Sequence, residues 1–78
     1  MTDETKQTLS ELALHTAVYL ERAPGRAEKR MVLFKAFVEA NRLNPAVTDD
    51  PALTLLDVLL DQPHLLVRNL LTLWIGEA

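Results

Sequence analysis

Apolar residues recur at helical spacing along the whole chain, and no stretch alternates in the way a half-buried strand would. Thr2–Glu4 supply capping groups for a first helix that should run to about Glu21. Leu9, Leu12, Ala13, Ala17 and Leu20 form its stripe, with Thr16 filling the gap. Leu14 and Val18 point nearly the other way, an i,i+4 apolar pair on the side that should be wet.

Arg22-Ala23-Pro24-Gly25 ends that helix, and Pro-Gly suits the two central positions of a type II turn. A second helix is predicted from about Arg26 to Leu43. Its middle is apolar almost all round, through Met31, Val32, Leu33, Phe34, Ala36, Phe37, Val38 and Ala40. Only the wedge holding Glu28, Lys35, Glu39 and Arg42 is consistently polar, so this helix is expected at the centre of the bundle. Asn44-Pro45 stops it, because the residue before proline is pushed out of the helical region.

Two short leucine-rich helices should follow, about Pro51–Leu60 and Pro63–Ile75, with Gly76 as the final stop. Each opens the same way: Asp49-Asp50-Pro51 and Asp61-Gln62-Pro63 put an acid where free N–H groups need an acceptor and proline where no donor is needed. Both are apolar over about 200–220° of arc, roughly twice the stripe that one buried face requires. The reading is all-α: one domain spanning 1–78, a compact bundle of four helices, two longer and two short.

Size and composition sharpen this picture. Seventy-eight residues without cysteine make a thin core with no disulfide or thiolate-metal staple, which leaves self-association as the common remedy. Met1–Gln7 is polar and acidic, so no secretory leader is expected. The Leu53–Ile75 run carries Asp57, Asp61, His64 and Arg68, which rules against a membrane span. A cytoplasmic protein that does not bind membranes is the expectation.

The net charge of −3 is segregated. Residues 1–21 hold four acids and one base, 22–42 six bases and two acids, and 43–78 five acids and one base. Arg22, Arg26, Lys29 and Arg30 crowd one corner, three of them at the positive end of the second helix, where the helix dipole disfavours them. They could meet acids of the same chain or an anionic partner. Acidic segments on either side argue against general nucleic-acid binding.

Catalytic signals are missing. Two glycines cannot build a phosphate-cradling loop, no cysteine nucleophile exists, and Ser10, the sole serine, has no matched base. Asp57, Asp61 and His64 have metal-like spacing, but Pro63 interrupts any continuous helical face between them. His15 reads as a border residue of the first helix. No cofactor, metal or enzymatic activity is expected.

What remains is surplus apolar surface. It points to a small protein–protein interaction module, a homodimeric regulator or inhibitor of the anti-activator, chaperone or adaptor type. The surface is expected at Leu14 and Val18 on the first helix, Val58 on the third, and Val67, Leu71 and Ile75 on the fourth, with Leu66, Leu70, Leu73 and Trp74 turned to the core. The alternative is a helix-turn-helix-like nucleic-acid binder using the basic corner, disfavoured because Arg68 is the only base on the last helix.

Overall fold

A computed structural model describes residues 1–47 and 56–76. Helix α1 spans Asp3–Arg22, α2 spans Arg26–Leu43, and α3 spans Pro63–Ile75, with a single 3₁₀ turn at Asp57–Leu59 before it. Among the described residues there is no strand. Half of the helix expected at 51–60 (residues 51–55) lies outside the described residues, as do its capping residues Asp49 and Asp50; within the described half, Asp57–Leu59 form the 3₁₀ turn. The described chain is thus all-helical with three α-helices.

Local chemistry accounts for most helix ends. The Thr2 hydroxyl caps α1 by accepting the Thr5 N–H at 3.1 Å, and Asp3 and Glu4 complement the dipole of its first turn. Pro24-Gly25 does not make the type II turn. Gly25 is extended, at φ −144°, and serves as the N-cap of α2. Asn44 is extended before Pro45 and ends α2, its N–H still bonded to the Ala40 carbonyl. Pro63 occupies the first turn of α3 behind Gln62, and Gly76 ends it in the left-handed region at φ 81°, donating to Thr72 O at 2.9 Å.

The central element is α1, not α2: both α2 and α3 pack on it. Leu9, Ala13, Thr16 and Leu20 form its buried stripe, and the Thr16 hydroxyl is satisfied by donating to Leu12 O at 2.7 Å. From α2 come Leu33, Ala36, Phe37 and Ala40, and from α3 Leu66, Leu70 and Trp74, with Val47, Leu56 and Leu60 closing the core. The all-round apolarity of α2 misled because it is two stripes on opposite sides, and only one is buried. The far ends of α2 and α3 are tied where Asn44 Nδ2 donates to Trp74 O at 3.1 Å.

The rotation of α3 also differs from expectation. Leu66, Leu70 and Trp74 form the buried i,i+4 row, and the Val67–Leu71–Ile75 row beside it is half-buried and packed against the core. Leu73, expected inside, is 48% exposed. A helix apolar over about 200° does not by its own wheel fix which part faces inward. The position of α1 decides it.

Candidate interaction surface

Three residues of the basic corner, Arg26, Lys29 and Arg30, are held by the chain's own acceptors. Asp57 receives Arg30 through Nε at 2.6 Å and Arg26 through Nη2 at 3.0 Å, and Arg26 Nη2 also donates to the Asp57 carbonyl at 2.7 Å. Asp61 lies 3.5 Å from Arg26 Nη1. Hydrogen bonds from Arg30, and then Arg26, hold the Asp57 carboxyl down to about 2, and the same pairing raises Arg30. Lys29 Nζ donates to Leu20 O at 2.7 Å, a cation on the last turn of α1. The crowding that looked unfavourable along α2 is thus resolved by tertiary partners. Arg22 is exposed at the end of α1.

The expected surface residues fall into two groups. Leu14 (57% exposed), Val18 and Val58 (70% exposed) lie on the outside. Val67, Leu71 and Ile75 are half-buried beside the core. No group of three or more His, Asp or Glu side chains is placed to hold a metal among the described residues, and no described helix is long and apolar enough to cross a membrane.

The most continuous outer strip includes Met31, Phe34 and Val38, which were expected at the centre of the bundle. Ala27, Met31, Phe34 and Val38 are all exposed on α2, at steps of four, three and four residues. That spacing keeps them on one face, opposite the buried Leu33, Ala36, Phe37 and Ala40. The signal was present in the 4-3-4 step, but periodicity alone cannot say which of two apolar stripes is covered. Leu14 and Val18 likewise lie opposite the buried stripe of α1. The two strips therefore form two separate outer edges, one on α1 and one on α2.

Between the edges, α1 and α2 leave an open groove of about 470 Å³, floored by Leu12, Val32 and Ala36. His15 and Tyr19 form one bank and Lys35 and Glu39 the other. Nothing there is arranged as nucleophile and base.

These features define a class: an all-α domain with apolar side chains left on the outer edges of its helices. No family model, curated protein or solved structure matches the chain.

Proposed function

We propose that this protein is a non-enzymatic protein–protein interaction module, a small cytoplasmic regulator or adaptor that docks through the outer faces of its helices. One observation carries the reading: Leu14, Val18, Met31, Phe34 and Val38 are each between two-fifths and three-fifths exposed, although the domain has a filled core elsewhere. Large apolar side chains grouped on two edges of so small a domain cost solubility unless something covers them. The basic corner supports the same reading, because Arg26 and Arg30 are engaged by Asp57.

The test is affinity capture from cells of the source organism, with the wild-type chain compared with a Leu14→Arg/Val18→Arg variant that keeps its circular dichroism spectrum. A stoichiometric protein retained by the first and lost by the second supports the module. Equal recovery by both, or none by either, removes the α1 edge from the proposal.

A further inference from the structure

We propose that the α2 edge is covered by a second copy of this chain, with the two α2 helices antiparallel across a twofold axis. The inference deepens the interaction-module reading and rests on it. Ala27, Met31, Phe34 and Val38 follow the four-three spacing of a knobs-into-holes seam, on an 18-residue helix with no proline inside it. A seam needs a facing helix of the same pitch, and another α2 supplies one. An isologous contact also closes, whereas joining the α2 edge of one copy to the α1 edge of the next would propagate without end unless a ring closed it.

Charge fixes the direction. Glu28 and Lys35 flank the seam on the same side, two turns apart, and neither has an ion-pair partner among the described residues. In an antiparallel pair with Met31 against Phe34 of the second copy and Ala27 against Val38, Glu28 of each chain lies beside Lys35 of the other. Symmetry makes that contact twice. In a parallel pair, Lys35 would instead face Arg30 of the second copy, a cation already engaged by its own Asp57, so neither Glu28 nor Lys35 gains an opposite charge. Arg42 on the same flank is already bonded to Glu39 at 3.1 Å within its own chain, so it does not disturb the pairing.

One helix pair buries less than the roughly 1,200 Å² at the lower end of standard interfaces, so the dimer belongs to the weak, concentration-dependent class. Association should be followed by sedimentation equilibrium from micromolar to millimolar chain. The wild type is expected to dimerise within that range, and Phe34→Glu to remain a monomer with an unchanged circular dichroism spectrum. Glu28→Lys and Lys35→Glu should each weaken self-association roughly tenfold, since two cross-chain pairs become repulsive. Mixed together, those two variants should form a heterodimer tighter than either homodimer, because both pairs are then restored. A wild type monomeric throughout overturns the proposal, as does a dimer indifferent to Phe34→Glu. A dimer that depends on Phe34 while the charge variants show no mutual preference overturns the antiparallel register. A monomer that still captures its partner through Leu14 and Val18 would sink this inference and leave the module reading intact.

Discussion

Phe37 and Trp74 meet edge to face, ring centroids 5.5 Å apart and planes at 83°, and this contact joins α2 to the end of α3. Both rings are almost fully buried. Edge-to-face geometry sets the positive rim of one ring on the negative face of the other, adding to what burial alone provides. The pair lies close to the Asn44–Trp74 carbonyl bond, so one end of the domain is fastened twice.

Truncating this contact should be costly. Phe37→Ala is expected to lower stability by about 3–5 kcal/mol in urea denaturation, the range for a buried aromatic removed from a packed core. Trp74→Phe should cost much less, under about 1.5 kcal/mol. Trp74 Nε1 is buried without an acceptor among the described residues, so the substitution also removes an unsatisfied donor. Comparable losses for both variants would mean that the indole N–H is satisfied in solution.

Acid should act through Asp57. Its carboxyl is held down to about 2, whereas an unfolded aspartate titrates near 3.9. The folded state therefore favours the ionised form. That contribution is complete above about pH 4 and is lost as the pH falls towards 2. The urea midpoint of the wild type should drop more steeply across this window than that of Asp57→Asn. Parallel curves would show that the Arg26–Asp57–Arg30 cluster does not persist in solution.

Burial separates the apolar residues of the helices into two kinds. Leu71→Arg should destabilise the domain by about 2 kcal/mol or more, because Leu71 packs against the core and the substitution puts a charge in place of that apolar contact. Leu14→Arg and Val58→Arg should stay within about 0.5 kcal/mol of wild type, since both side chains are more than half exposed. Thermal melts of the three variants would show the contrast, and an unperturbed Leu71→Arg would place that residue on a free surface.

Nucleic acid should bind negligibly at about 0.15 M salt, measured by fluorescence anisotropy with duplex DNA and single-stranded RNA. Arg26 and Arg30 would have to leave Asp57 to reach phosphates. Micromolar affinity at that salt, lost in Arg26→Ala and Arg30→Ala, would revive the nucleic-acid alternative.

The sequence by itself determined the helical class and three sets of boundaries. Those are local effects: Thr2 and Pro63 start helices, while Asn44-Pro45 and Gly76 end them, through groups a few residues away. It also exposed the pairing of Leu14 with Val18, because α1 has only one broad stripe and anything opposite it must face out. The tertiary structure decided what lies between apolar arcs wider than one contact. On α2 it buried Phe37 and left Phe34 outside; on α3 it left Leu71 half-buried and turned Leu73 outward. It also moved the centre of the bundle from α2 to α1 and gave Arg26 and Arg30 their partner at Asp57, some thirty residues along the chain. A helical wheel records which directions are apolar. Which of them meets another helix depends on where the chain returns, and residues distant in sequence set that.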